Sequence, residues 1–170
     1  MQASPLVSII MGSTSDLPIM EKAAARLDAL SIPFEMLALS AHRTPKEVEE
    51  FATSAKERGI KVIIGAAGMA AHLCGVIASM TSIPVIGVPI KASLEGVDAL
   101  YSIVQMPPGI PVATVGINAA ENAALLAVQM MATSDEELYR RLEAYKESLK
   151  EKVVKANKEL SEVKFAHKTN

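Results

Sequence analysis

The chain has 170 residues and a net charge of −2, and 50% of its residues are hydrophobic while only 4% are aromatic. The balance of charges and the lack of tryptophan give little support to nucleic-acid binding. No apolar run approaches the roughly 20 residues that span a bilayer. The only cysteine, Cys74, excludes an intrachain disulfide. The first residues, MQASP, lack the basic start of a signal peptide, so we expect a cytoplasmic protein.

Short apolar runs alternate with helical patterns along the chain. The length suits one domain, residues 1–170, with a core at about 6–132. So high an apolar content for this size indicates further burial between subunits. Runs that are apolar on both faces are typical of a parallel sheet covered by helices on both sides, which is an α/β fold. The predicted strands are residues 6–11, 34–39, 61–66, 85–88 and 112–115.

The first two predicted helices begin at capping patterns. The first predicted helix covers residues 17–30, with Ser15 or Asp16 as its cap. In the second, Thr44 is the predicted N-cap and Glu47 closes a capping box, and the helix should end near Arg58, before a glycine.

The last quarter of the sequence predicts two helices that favour an oligomer. Residues 121–132 are apolar almost all round, which predicts a helix buried on most sides. A capping box at 134–137 then opens a long helix at about 135–160 with one apolar stripe. About 25 residues make a rod of roughly 38 Å. Part of it is expected to lie across a neighbouring subunit; the alternative is a helix on its own core with a frayed end.

Three polar or glycine-rich loops follow predicted strands, at residues 12–16, 40–43 and 65–72. In open parallel sheets, ligands bind at the carboxyl ends of the strands. The first loop, GSTSD, offers backbone N–H groups and serine hydroxyls to a phosphate, although it matches neither the Walker fingerprint nor the dinucleotide-binding one. Asp16 would repel a phosphate in direct contact. It fits better as an acceptor for ribose hydroxyls, and the alternative is a helix cap.

The second and third loops supply a cation and two histidines. The planar fork of Arg43 suits a phosphate, with Ser40 in the same turn. His42 can give and take protons at neutral pH, although it could also be a solvent-facing side chain. His72 taken alone is more typical of a structural residue. We predict no metal, because no third ligand stands near the two histidines at a recognisable spacing. Small residues around Gly68 let a ligand approach the backbone closely.

Five stretches together resemble one family, in register from about residue 6 to residue 132: IMGSTSD, LSAHRTP, AAHL, GVDALYSIVQMPPGIPVATV and NAALLA. The chain is similar to the N5-carboxyaminoimidazole ribonucleotide mutases of purine biosynthesis, the PurE family. The resemblance implies a flavodoxin-like three-layer αβα sandwich, an octamer, and a cofactor-free reaction on a small-molecule substrate. In that reaction a carboxylate moves from the N5 nitrogen to ring carbon C4. The matched positions imply nucleotide contacts at Ser13, Asp16 and Arg43, with Ser40 close by. His42 matches the family's catalytic histidine and His72 a second histidine in the pocket, and both are taken as candidate catalytic residues.

The third loop departs from the family pattern. It is usually close to GAGGAAHLPG and here reads GAAGMAAHLCG, so that Ala67 and Met69 replace glycines and Cys74 replaces a proline. A left-handed backbone at Ala67 or Met69 would be sterically unfavourable. Either these positions do not need it, or the loop is shaped differently.

Two alternative functions stay open. One is an aminoimidazole ribonucleotide carboxylase that uses free CO2, although residues 101–115 look like the bacterial mutases. The other is a non-enzymatic flavodoxin-like nucleotide-binding module, which the low aromatic content disfavours for flavin. In the mutase interpretation, residues 91–96 are the predicted lid.

Overall fold

A computed structural model describes residues 4–170. The chain divides into two compact units, one ending at Met131 and one from Ala132 to Asn170. Five strands alternate with helices in the first unit, and one long helix dominates the second. The elements are β1 (Val7–Met11), α1 (Leu17–Ala29), β2 (Phe34–Ala38), α2 (Pro45–Ser54), β3 (Val62–Gly68), α3 (Leu73–Met80), β4 (Val85–Ile90), α4 (Val97–Val104), β5 (Ala113–Thr114), α5 (Ala120–Ala132) and α6 (Glu136–Glu162).

The five strands form one parallel sheet in the order β2-β1-β3-β4-β5. This is the flavodoxin-like order, in which the chain reverses its direction of travel across the sheet between β1 and β3. Strands β1 and β4 are buried along their whole length, which explains why they read as continuous apolar runs in the sequence. The predicted α/β fold is confirmed.

Helices cover both faces of the sheet. On one face, Ile10 and Ile63 pack in a cluster with residues of α2, α3 and α4. On the other, Ile9, Ile64 and Ile86 are fully buried, and α1 packs against β1. Fully burying an aliphatic side chain contributes about 1.5–3 kcal/mol, so these alternating isoleucines hold both helical layers to the sheet.

The end of α2 differs from the prediction. Regular helix stops at Ser54, four residues before the expected end. A Schellman motif then closes the turn: the Ile60 N–H donates to the Ala55 carbonyl and the Gly59 N–H donates to the Lys56 carbonyl. Gly59 has a φ of +89°, the left-handed conformation that this motif needs.

The predicted capping box at Thr44 is not formed. The Thr44 hydroxyl makes no bond to the first turn of α2. Instead it donates to the Ser40 carbonyl at 3.1 Å and accepts the Ser40 N–H at 2.8 Å. Thr44 therefore closes the turn at 40–44 rather than capping the helix that follows.

The second unit is built around α6. Its N-cap is Asp135, whose carboxylate accepts the N–H groups of Glu137 and Leu138, so the cap lies one residue later than predicted. Leu138 is buried, whereas Leu160 near the far end is 56% exposed. Among the described residues, no helix is both long and apolar enough to cross a membrane.

Candidate active site

The loops after β1, β2 and β3 meet at the carboxyl edge of the sheet. The Gly12 N–H donates to the Ala66 carbonyl at 3.2 Å, and the Leu39 N–H donates to the Met11 carbonyl at 3.0 Å. These bonds continue the sheet beyond its strands and fix the three loops side by side. A cavity of about 460 Å³ opens between them. All seven site residues predicted from the sequence line it: Ser13, Asp16, Ser40, His42, Arg43, Gly68 and His72.

A larger cavity, of about 650 Å³, lies at the opposite edge of the sheet, beside the starts of β4 and β5. Its described lining residues are small, hydroxylic or apolar, and none of them titrates near neutral pH. Of these two cavities, only the one at the carboxyl edge of the sheet has side chains that can act as acids or bases.

The first loop folds into a short 3-10 turn, Thr14–Asp16, before α1. The Ser13 hydroxyl oxygen accepts the Ser15 N–H at 3.3 Å and the Ser15 hydroxyl at 3.0 Å. The Asp16 side chain makes no capping bond to α1, so the interpretation as a helix cap is wrong. A turn bonded through Ser13 thus leaves the Asp16 carboxylate available at the cavity.

Asp16 is a buried carboxylate, only 8% exposed. Burial raises its pKa above the ordinary 3.8, although hydrogen bonds from the Ser15 side chain and the Ser13 backbone partly offset this. A carboxylate with little water around it gains by accepting hydrogen bonds from a ligand. Ribose hydroxyls are donors of that kind.

The second loop holds Arg43 in a defined pose. One guanidinium nitrogen, Nη2, donates to the Gly12 carbonyl at 2.7 Å, and Nε donates to the Ser40 hydroxyl oxygen at 3.4 Å. The Ser40 hydroxyl also accepts the Arg43 N–H at 3.3 Å. Arg43 thereby ties the second loop to the first and brings a fixed positive charge beside Ser13.

His42 and His72 form a pair. The Nε2 atom of His42 lies 2.9 Å from the Nδ1 atom of His72, and the rings meet edge to face at 86°. A hydrogen bond at that distance needs one protonated and one unprotonated nitrogen. The two imidazoles can therefore pass a proton between them. His72 stands at the N-cap position of α3 without a side-chain capping bond, which leaves its ring free for this contact.

The third loop adopts the left-handed backbone at Met69, with a φ of +54°, and not at Ala67. Strand β3 runs on to Gly68, two residues beyond its predicted end. A Cβ at Gly68 would lie 3.3 Å from the Ile90 carbonyl oxygen and 3.4 Å from the Ala92 Cβ, so a small residue lets β3 and the loop after β4 come together at the cavity. Cys74 is buried and its thiol donates to the Gly65 carbonyl at 3.3 Å.

Ile90, at the end of β4, and Ala92, in the loop that follows, also border the cavity. Three consecutive residues, Leu94 to Gly96, have a positive φ. Asn118 holds the start of this loop: its N–H donates to the Pro89 carbonyl at 2.8 Å and its side-chain oxygen accepts the Lys91 N–H at 2.9 Å.

Sequence reasoning did not single out Asn118. A signal existed for Asn118, since an asparagine just after a strand tolerates the left-handed conformation, here a φ of +58°. Ser15 was included only as one of the hydroxyls of the GSTSD loop and as a possible helix cap. Among the described residues, no three His, Cys, Asp or Glu side chains are grouped so as to hold a metal ion.

The strand order and the cavity at its switch point define a flavodoxin-like α/β protein with a histidine-containing site. A family model described as AIR carboxylase matches residues 6–152, and the chain belongs to this family. A curated N5-carboxyaminoimidazole ribonucleotide mutase from Pyrococcus abyssi is 57% identical over 86% of this chain and 84% of its own length. A phosphoribosylaminoimidazole carboxylase from Saccharomyces cerevisiae is 55% identical over 91% of this chain but only 27% of its own length. The crystal structure of Treponema denticola PurE superposes with a TM-score of 0.83 at 32% identity, covering 92% of this chain and 98% of that one.

Proposed function

We propose that the chain is an isomerase of purine biosynthesis that converts N5-carboxyaminoimidazole ribonucleotide to 4-carboxy-5-aminoimidazole ribonucleotide. The observation that carries this proposal is the His42–His72 pair, with its 2.9 Å contact, in the same cavity as Arg43 and Asp16. One end of that cavity suits a ribose phosphate and the other can move a proton.

The phosphate and ribose are assigned to the first two loops. Arg43 donates to the phosphate, which also takes hydrogen bonds from the hydroxyls of Ser13 and Ser40. Asp16 accepts from the ribose hydroxyls, at a distance from the phosphate that avoids repulsion. The tie from Arg43 to the Gly12 carbonyl supports this division, because it holds the cation over the serine loop.

The reaction takes up one proton at the N5 nitrogen and releases a different one from ring carbon C4. His42 donates a proton to the N5 nitrogen as the bond from nitrogen to the carboxyl carbon breaks, which releases CO2 and an amine. Ring carbon C4, electron-rich like an enamine carbon, attacks the CO2 and forms the new carbon–carbon bond. The tetrahedral C4 then gives up its own hydrogen as a proton to His42, which restores the aromatic ring. The scheme balances without a redox partner or a nucleoside triphosphate.

His72 is assigned as the residue that positions the His42 ring. A contact of 2.9 Å between the ring nitrogens is favourable only while one of them lacks a proton. This hydrogen bond engages Nε2 of His42, so Nδ1 of the same ring is assigned to give a proton to the substrate and to take one from it.

A transient CO2 has to be kept from escaping, so the cavity must close. The small residues at 66–71 leave room beside the histidines. Within that stretch, Gly68 is the residue whose lack of a side chain lets the end of β3 lie close to Ile90 and Ala92. We assign residues 91–96 as the lid, because this loop borders the cavity and carries three consecutive left-handed residues. An ion pair between Lys91 and Glu95 spans it.

The carboxylase that fixes free CO2 is the second candidate, favoured by the 55% identity to the yeast protein of that name. We prefer the mutase, because the chain spans 84% of the Pyrococcus abyssi mutase but only 27% of the yeast carboxylase. An assay with each substrate tests this. Turnover of the N-carboxylated nucleotide without added bicarbonate supports the mutase. Activity that appears only with the unsubstituted nucleotide and bicarbonate supports the carboxylase.

We also propose a homo-octamer. On α4, Val97, Tyr101 and Val104 are between 39% and 62% exposed and follow helical spacing. Such an apolar stripe suits burial between subunits. Light scattering should give about eight times the chain mass of 18.0 kDa, and a mass of one chain would contradict the proposal.

The cytoplasmic location stays a prediction.

A further inference from the structure

Met69 is the one described residue between Gly68 and His72 whose backbone is left-handed, with a φ of +54°. That conformation is unfavourable for a residue with a side chain, and strain of this kind concentrates at functional sites. The Ala71 N–H donates to the Met69 carbonyl at 2.9 Å and the His72 N–H donates to the Ala70 carbonyl at 2.8 Å. The reversal at Met69 therefore carries the chain from the end of β3 to the start of α3, where His72 meets His42.

The side chain at this strained position is not needed for packing. Met69 is 57% exposed, yet it lines the same cavity as the histidine pair. A glycine would make the same turn without strain. The structure thus keeps a long, flexible apolar side chain at the mouth of a polar cavity, where it has little to pack against in the unliganded protein.

Met69 lines the same cavity as the phosphate-binding and histidine residues of the proposed function. In that binding mode Arg43 and Ser13 take the phosphate, and the histidine pair lies at the reacting base. Met69 belongs to the short loop that ends at His72, so we place it at the base rather than at the phosphate. A thioether packs favourably against an aromatic ring.

We propose that Met69 is a substrate-contacting residue that packs its thioether against the planar imidazole base. The contact gives the site selectivity for a nucleotide that carries the base over the bare ribose phosphate. It also places an apolar group over the carboxyl being transferred. This inference rests on the proposed function, because it assumes an imidazole ribonucleotide in the cavity.

The test compares two ligands in calorimetric titrations: aminoimidazole ribonucleotide, and ribose 5-phosphate, which lacks the base. In Met69→Ala the dissociation constant for the ribonucleotide should rise about two- to tenfold, the range of a lost thioether–ring contact. The constant for ribose 5-phosphate should stay unchanged. Met69→Gly should show the same selective loss together with a higher thermal midpoint, because the glycine relieves the left-handed strain.

The matched control is Met80→Ala, since Met80 is a partly exposed methionine that lines the cavity at the other edge of the sheet; it should bind both ligands normally. Unchanged ribonucleotide binding in Met69→Ala would overturn the inference. An equal loss for both ligands would overturn it too, because it would indicate a deformed loop rather than a lost base contact. If the unmodified protein neither binds nor turns over the ribonucleotide, the proposed function itself fails.

Discussion

Replacing His42 with asparagine separates proton transfer from binding. Asparagine is close to imidazole in size and keeps a polar group near Nδ1 of His72, which lies 2.9 Å from the native Nε2. It cannot give or take a proton at neutral pH. A general acid–base group typically contributes 10²–10⁴-fold to the rate, which corresponds to about 2.7–5.4 kcal/mol of the activation free energy. We expect the kcat of His42→Asn to be at least 10²-fold lower than that of the native enzyme.

Binding should survive the same substitution. Arg43 keeps its bond to the Gly12 carbonyl and Asp16 its place in the cavity, since neither depends on the His42 ring. The dissociation constant for the ribonucleotide should therefore stay within about tenfold of the native value, the factor that about 1.4 kcal/mol produces.

The chain offers a matched control in its third histidine, His167, which is exposed in the second unit. His167→Asn should leave both kcat and binding unchanged. Steady-state kinetics at saturating substrate and a direct titration give the two quantities separately. Near-native kcat in His42→Asn would refute the assignment and move the proton transfer to another group, with His72 the next candidate.

Arg43→Ala should weaken ribonucleotide binding by tenfold or more, because a hydrogen bond to a charged group contributes roughly 1.5–3 kcal/mol. The control is Lys46→Ala, which removes an exposed cation on the next helix. If titration gives Arg43→Ala the same affinity as the native protein, the phosphate binds elsewhere. Asp16→Asn should raise the thermal midpoint at neutral pH and weaken nucleotide binding. Burial raises the pKa of Asp16 above 3.8, so the ionised form destabilises the folded protein as the pH rises through that raised value; a lower midpoint would contradict this. Gly65→Ala should destabilise the protein by about 1–3 kcal/mol, because the new Cβ would lie 2.7 Å from the Cys74 sulfur. Adding Cys74→Ala should restore most of the lost free energy of unfolding, measured by urea denaturation. If the effects of the two substitutions are strictly additive, the contact with the Cys74 sulfur is not the cause.

Much of the sheet was predictable because its strands are short, mostly apolar runs separated by helical patterns. All five strands and the helices at α1, α2, α5 and α6 were expected within a few residues of where they lie. The regular part of α2 was predicted too long, because the pattern up to Arg58 does not distinguish a helix from the Schellman turn that ends at Gly59. Strand β5 is only two residues long, since its pairing with β4 decides its extent.

The composition of the candidate site was predictable, and its internal bonds were not. Loops that follow parallel strands meet at one edge of the sheet, and the family resemblance placed His42 and His72 in one pocket there. Which ring nitrogens meet depends on side-chain positions that spacing does not fix. Thr44 shows the same limit: a capping box was expected from its sequence, but the Thr44 hydroxyl oxygen accepts the Ser40 N–H instead of an N–H from the first turn of the helix. At Met69, the tight turn decided the backbone conformation against the preference of the residue.

The central claim is that the enzyme returns the substrate's own carboxyl group to ring carbon C4. The most direct measurement supplies the N-carboxylated ribonucleotide with an isotopic label in that carboxyl, in buffer that contains excess unlabelled bicarbonate, and follows the label in the product by mass spectrometry. A mutase whose cavity stays closed between the two steps yields product that keeps most of the label, at a rate that does not depend on bicarbonate. Mostly unlabelled product, formed faster as bicarbonate is raised, would contradict the mutase and show that the CO2 comes from solution.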